Sequence, residues 1–338
     1  MKPLKYLFIS SMLFVATSCG NSWLDLEPST SVDTETSIKI LSDVEFTLNG
    51  IYSTMQSSDA YSGRLVYYGD VTGDDMQAVS STKRVANYYR FNFTKDDNPS
   101  SHWSYLYSII QNCNLILMNI DKLVIDEDDK AYRDDLKGEA LAIRGLALFD
   151  LTRIFGYPYL KDNGASLGVP IIEGLSTIDS KPTRNTVAQC YTKIIDDLTQ
   201  SLSLLGEKFN KGKINKWGAM VLLSRVYLYK GENANALKMA SDAIIGAEKN
   251  KYALWTNEDY PTAWGEDASA SKPGEVLFEI VNLTTDSPGK ESMGYLNSYD
   301  GYDDMCITCS FYQFLKEDPK DIRLKLLSFD KKYYAYVN

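Results

Sequence analysis

The chain has 338 residues, with 35 Lys and Arg against 45 Asp and Glu, a formal charge of −10 and one His. An acidic chain argues against nucleic acid as a partner, because phosphate binding needs a basic face. A single His rules out paired-histidine metal sites and leaves His102 alone for any histidine-dependent triad. The composition, 44% hydrophobic and 24% charged, is that of a globular chain able to bury a sizeable core. Tyrosine is abundant, 24 residues against 12 Phe and 5 Trp, and an apolar ring with a polar tip suits wet binding surfaces as well as cores.

In chain order, residues 1–18 place Lys2 and Lys5 ahead of an apolar run that ends in Ala16, Thr17 and Ser18 before Cys19. This is the pattern of a secretory signal peptide, too short for a permanent span. A cysteine directly after small residues resembles a bacterial lipobox, with Ala16 where such boxes usually carry Leu. Cleavage there makes Cys19 the lipidated N-terminus, whereas a plain signal cut leaves Cys19 incidental. No later window is apolar enough to span a membrane, so the lipid is the expected anchor and residues 19–37 its polar, turn-rich tether.

Helical periodicity then dominates. Residues 41–56 form a short amphipathic helix with Ser42 and Glu45 at capping-box spacing. Residues 101–120 carry Trp103, Tyr107, Ile110, Asn114, Leu117 and Ile120 on one stripe. Residues 134–155 are apolar around so much of the helix that burial between neighbours is predicted, with Gly156 and Pro158 ending it. Residues 186–205 follow with Thr186 as N-cap, and 215–229 with 233–249 form a helical hairpin turned at Gly231.

That hairpin places Leu223, Ser224, Tyr227, Gly231, Ala236, Ala240 and Ala243 at tetratricopeptide spacings, where small residues let antiparallel helices approach closely. Ala240 replaces the consensus Phe and Met220 the first consensus Trp. Two stretches lack sustained helical period. Residues 57–99 are rich in Ser, Gly, Asp and Tyr; residues 252–312 are rich in Tyr, Trp, Asp, Gly and Ser, with one strand-like run at 275–281. Long irregular segments are commonly functional, and the ligand is expected there.

The segments SCGNSWLDLEP at 18–28, WSYLYSIIQNCNLIL at 103–117, GEALAIRGLALFDLTRIFGYPY at 138–159, GVP at 168–170, PTRNTVAQCYTKIIDDL at 182–198 and WGAMVLLSRVYLYKGENANALKMASDAI at 217–244 together resemble the SusD/RagB family of outer-membrane lipoproteins. The resemblance implies an all-α dominated fold, tetratricopeptide-like helical repeats with long irregular loops and a few short strands. It divides the chain into a signal peptide (1–18), a lipidated tether (19–37) and a helical-repeat domain (38–338). It further implies a surface-exposed glycan-binding protein, without cofactor, that serves a SusC-like TonB-dependent transporter; some relatives serve peptide uptake. Family members continue past position 338 with a further helical and loop section, so the chain is expected to be a fragment or a truncated gene product.

Sugars offer apolar C–H faces ringed by hydroxyls, so a glycan site needs exposed aromatic platforms beside hydrogen-bonding groups. Candidate platforms are Tyr88 and Tyr89 with Arg84 and Asn87, and Trp264, Tyr299 and Tyr302 with Asn297 and Asp300. The alternative for each is an aromatic that anchors its loop to the helices. Cys306 and Cys309 form a C-x-x-C without a second pair, which makes zinc an unsuitable occupant and leaves a local disulfide or inert thiols. Cys113 and Cys190 fall on helices and are expected in the core. Asp70, Asp74 and Asp75 lack the ligand order of an EF-hand. Two competing readings are a glycoside hydrolase, which needs only two carboxylates, and a scaffold that docks the transporter and touches no small ligand.

Overall fold

The computed structural model describes residues 37–94, 100–177, 179–208, 210, 212–264, 274–283, 285–329 and 335–337. Met1–Lys39 and Ile40–Asn338 are separate compact units. Of the first, only residues 37–39 are described, so the signal segment and Cys19 lie outside the described residues, as does nearly all of the tether.

The second unit is built on six longer helices, α1 (Leu41–Met55), α4 (Ser100–Asn119), α5 (Lys130–Phe155), α6 (Val187–Leu204), α7 (Lys216–Lys230) and α8 (Asn233–Lys249). Shorter elements fill the connections: α2 (Arg64–Thr72), β1 (Met76–Ala78), α3 (Ala86–Tyr89), α9 (Tyr260–Ala263), α10 (Met293–Asn297), β2 (Met305–Ile307), α11 (Cys309–Lys316), β3 (Leu327–Phe329) and β4 (Ala335–Val337). Successive long helices pack pairwise from α4 to α8, and α1 lies on α4 and α5. Helical hairpins stacked in sequence order make the repeat-like architecture that the family resemblance implies.

Helix α5 is the spine, with almost every side chain from Gly138 to Thr152 buried. Its Arg144 is buried and donates from Nε and Nη2 to the two oxygens of Asp197 on α6 at 2.8 and 2.6 Å, and from Nη1 to Asn114 Oδ1 on α4 at 2.8 Å. Asn114 in turn donates to the carbonyls of Ile172 and Gly174 at 2.8 and 3.0 Å, which fastens the α5–α6 connection to α4. A forked guanidinium suits this role, because it fills both oxygens of a buried carboxylate at once.

Two turns are dictated locally. Thr186 caps α6 as the sequence predicts: its Oγ1 accepts from Gln189 N at 3.2 Å while Gln189 Oε1 accepts from Thr186 N at 2.9 Å. Gly231 stands at φ +83° between α7 and α8, a left-handed conformation that glycine adopts without penalty. Gly246 on α8 lies flat against the Trp217 indole of α7, where a Cβ would overlap the ring.

Two local expectations are corrected. Helix α1 starts at Leu41 and is capped by the Asp43 carboxylate accepting from Ile40 N at 3.0 Å, so Ser42 and Glu45 do not form its capping box. Among the described residues of 57–99 the short helices α2 and α3 and the strand β1 are too brief to leave a sustained period, and the strand that pairs with β1 is distant in the chain. The run 275–281 is not a strand, because side chains take its hydrogen bonds. Leu277 O accepts from Asn215 Nδ2 at 2.8 Å, Val281 O accepts from Gln56 Nε2 at 3.0 Å, and Glu275 accepts from Trp255 N at 3.1 Å.

Candidate functional site

The two irregular stretches meet. Strand β1 pairs antiparallel with β2, with Met76 opposite Ile307 and Ala78 opposite Met305. Behind this pair lies a small core of Tyr67, Val71, Met76, Val85, Tyr88, Leu296, Met305 and Ile307. Each stretch alone has too few apolar residues to order itself; together they bury one continuous cluster.

On this support Arg84, which is half-exposed, lies 4.0 Å from the centroid of the Tyr302 ring. It also donates from Nη1 to Glu291 at 3.0 Å, and its Nε is 4.0 Å from Asp304. Burial pushes the Asp304 carboxyl up from the ordinary range, and Arg84 and Lys83 pull it back. Lys83 donates to Tyr302 O at 2.6 Å, and the Tyr295 ring meets Tyr302 edge-on at 5.1 Å. The result is a fixed aromatic and guanidinium surface, its charge largely answered by neighbouring carboxylates. Tyr299 stands beside it in sequence and is 51% exposed. Sequence reasoning named Arg84, Tyr299 and Tyr302 from separate segments, and the structure brings Arg84 and Tyr302 into contact.

Tyr88 is a correction. It is only 2% exposed, packs against Tyr67 and Tyr68, and belongs to the core behind the strand pair. Its Oη is buried with no partner among the described residues, and burial holds the phenol well above its usual range. A buried ring cannot serve as a platform. Exposed aromatics close to Tyr88 in sequence are Tyr89, Phe91 and Phe93, and the last two follow the Tyr pair with no periodic signal to mark them.

Trp264 lies in a separate cluster. It is 58% exposed, with the Trp255 and Tyr260 rings edge-on at 5.3 and 5.6 Å, so neighbouring rings hold it while much of its surface remains in solvent. Asn87 and Asp300 are exposed, and Asn297 has a buried Oδ1 without a partner among the described residues.

The remaining candidates stand apart from these aromatic surfaces in role: one His and four Cys. His102 is buried, its Nδ1 3.0 Å from Asp59 O, and burial lowers its pKa, leaving it neutral. Cys306 is buried on β2 and Cys309 exposed at the start of α11, and neither is in a disulfide; Cys113 and Cys190 are buried in the helical core. Among the described residues no group of three or more His, Cys, Asp or Glu is placed to hold a metal ion, and no helix is long and apolar enough to cross a membrane.

Residues 22–228 match the model of a SusD-like family described as starch-binding and associating with the outer membrane. SusD-like protein P2 of Formosa agariphila is 28% identical over 313 residues, covering 89% of this chain and 57% of its own. The chain spans about half the length of the curated relatives it matches. Among solved structures, a Bacteroides vulgatus ATCC 8482 protein assigned to sugar binding is 83% identical with a TM-score of 0.88, covering 90% of this chain and 68% of that one. A SusD superfamily protein from the same organism is 36% identical with a TM-score of 0.83, covering 89% and 68%. With the family model spanning more than half of the sequence, and the same helical-repeat fold in these relatives, the chain belongs to the SusD-like family.

Proposed function

We propose that the protein is a cell-surface glycan-binding lipoprotein that captures oligosaccharide and delivers it, uncleaved, to a SusC-like TonB-dependent transporter in the outer membrane. The observation that carries the reading is the Arg84–Tyr302 contact at the junction of the two irregular stretches, in a chain of a starch-binding family. A ring offers its face to sugar C–H groups, and a guanidinium offers donors to ring and hydroxyl oxygens. Tyr299, Tyr89 and Trp264 supply further exposed rings. Shallow contact of this kind gives modest affinity: ~100 Å² of apolar surface contributes about 2.5 kcal/mol before ordering costs. Cys19 carries the lipid in this reading, and Cys19→Ala releases the protein to the periplasm; a variant that still fractionates with the outer membrane after deletion of the transporter refutes the anchor.

Isothermal titration with maltoheptaose, laminarihexaose and cellohexaose tests the capture step, and a reducing-end assay on the same samples tests the absence of cleavage. Binding without product is the expected result. No heat with any glycan turns the reading to peptide uptake or a docking scaffold, and product formation turns it to a glycoside hydrolase.

A further inference from the structure

A second surface has the chemistry of sugar recognition and shares no residue with the Arg84 and Tyr302 surface. It is a groove of about 280 Å³ between α4 and the connection that leads into α6, lined by Trp103, Tyr107, Gln111, Pro170, Ile172, Ser176, Thr177, Ser180 and Pro182. The α4 side carries Trp103, Tyr107 and Gln111. Trp103 is held there by Tyr107 at 4.9 Å, by the Phe155 ring edge-on at 5.0 Å and by the Arg184 guanidinium 5.5 Å from its centroid. The connection adds Pro170, Ile172 and Pro182 with the hydroxyls of Ser176, Thr177 and Ser180, and among the described residues no charged side chain lines the groove.

The polar groups are organised in advance. Gln111 Nε2 donates to Ser176 Oγ at 2.6 Å and Gln111 Oε1 accepts from Ser176 N at 3.0 Å. Ser180 Oγ accepts from Thr177 N at 2.9 Å and lies 3.1 Å from Thr177 Oγ1. Tyr107 Oη donates to Pro170 O at 2.7 Å, and Asn114 clamps the carbonyls of Ile172 and Gly174. Each of these hydroxyls keeps spare lone pairs, and the Gln111 amide has a second N–H, so the groove still donates and accepts after its internal bonds are made. Binding there orders little that is not already ordered, which limits its entropic cost.

We propose that this groove is a second binding site, selective for neutral sugars. The proposal rests on the glycan-capture reading for its ligand class and adds to it a location and a selectivity. Aromatic and apolar surface interleaved with hydroxyls and an amide matches a pyranose, whose C–H face meets the rings while its hydroxyls meet the polar groups. No cation among the described residues lines the groove, and Arg184 beside Trp103 spends its Nη1 on the carbonyls of Phe155 and Gly168 at 2.9 and 2.7 Å, so a uronate carboxylate finds little there to repay its desolvation.

The test uses protein labelled with 5-fluorotryptophan, whose 5 Trp are assigned by single Phe substitutions, titrated with maltoheptaose, laminarihexaose, cellohexaose and oligogalacturonate. The Trp103 resonance should shift with at least one neutral oligosaccharide and not with oligogalacturonate. That shift should persist in the variant Arg84→Ala, Tyr302→Ala. It should weaken about tenfold in Gln111→Leu, Ser180→Ala, which removes polar groups but keeps the reporter, with unchanged fluorine dispersion showing that the fold is intact. A Trp103 signal that stays still while calorimetry records binding overturns the second site and leaves glycan capture standing. Silence in both overturns both, and an equal response to oligogalacturonate overturns the selectivity.

Discussion

The guanidinium carbon of Arg84 sits 4.0 Å from the Tyr302 ring centroid while Arg84 Nη1 donates to Glu291 at 3.0 Å, so one side chain joins two segments far apart in the chain. The ring restricts the guanidinium and the carboxylate orients it, and an arginine held in this way loses less freedom on meeting a sugar than one on a mobile loop. Arg84→Ala is expected to weaken glycan binding roughly tenfold, since about 1.4 kcal/mol is a factor of ten. Its cost in stability is expected to stay within about 1 kcal/mol, because the pair with Glu291 is half-exposed. Titration calorimetry and thermal melting on the same variant separate the two effects; a melting collapse alongside lost binding contradicts the assignment.

Tyr88 and Trp264 make opposite predictions. Tyr88→Ala empties a core position and should destabilise by about 3 to 5 kcal/mol, with binding altered only through unfolding. Trp264→Ala removes a ring that is 58% exposed and should leave the melting temperature nearly unchanged while weakening binding. Denaturant titration of both variants checks this, and a stable Tyr88→Ala protein contradicts the core placement.

Gly246→Ala places a methyl group against the Trp217 indole. Overpacking of this kind costs roughly 1 to 3 kcal/mol. Trp217→Leu in the same background should recover part of the loss, because it makes the space the methyl group needs. The double-mutant cycle is the measurement, and additive effects would show that the two helices do not meet there.

Glu139 predicts a pH dependence. Burial pushes its carboxyl up to about 7, against lowering by the Tyr52 hydrogen bond and Lys213, while Asp135 and Glu45 raise it further. Tyr52 Oη donates to Glu139 Oε2 at 2.7 Å and accepts from Ile214 N at 3.0 Å, tying α1, α5 and the loop before α7 together. A carboxyl with a raised folded-state pKa is more protonated in the folded than in the unfolded chain between its ordinary value and about 7. The folded state is therefore favoured at the acid end of that interval, and the contribution is lost as pH rises through it. Glu139→Gln should remove this fall in stability, a difference on the order of 3 kcal/mol. Urea titrations between pH 4.5 and 8 test it; a parallel pH profile in the variant would place the dependence elsewhere.

Much of the helical framework is legible in the sequence because it obeys local rules. The period of apolar positions marks α4 to α8, Thr186 with Gln189 forms a capping box whose bonds close within one turn, and Gly231 supplies the left-handed residue of a hairpin. The small side chains of α8 follow from close helix approach, which needs no knowledge of distant residues. The family motifs are carried by the same helices, so the family too is readable without coordinates.

What the sequence alone leaves open is long-range and polar. Tyr88 and Tyr89 are adjacent and identical in type, yet one is 2% and the other 38% exposed. Only the core assembled from Tyr67, Leu296 and Met305 determines which ring is inside. The three-residue strands β1 and β2 are too short to show alternation, and their pairing is settled by burial of that shared cluster. Period and caps determine the helices, and the motifs they carry hold the family resemblance; tertiary structure decides which aromatics face solvent, because exposure depends on what the rest of the chain brings against each ring.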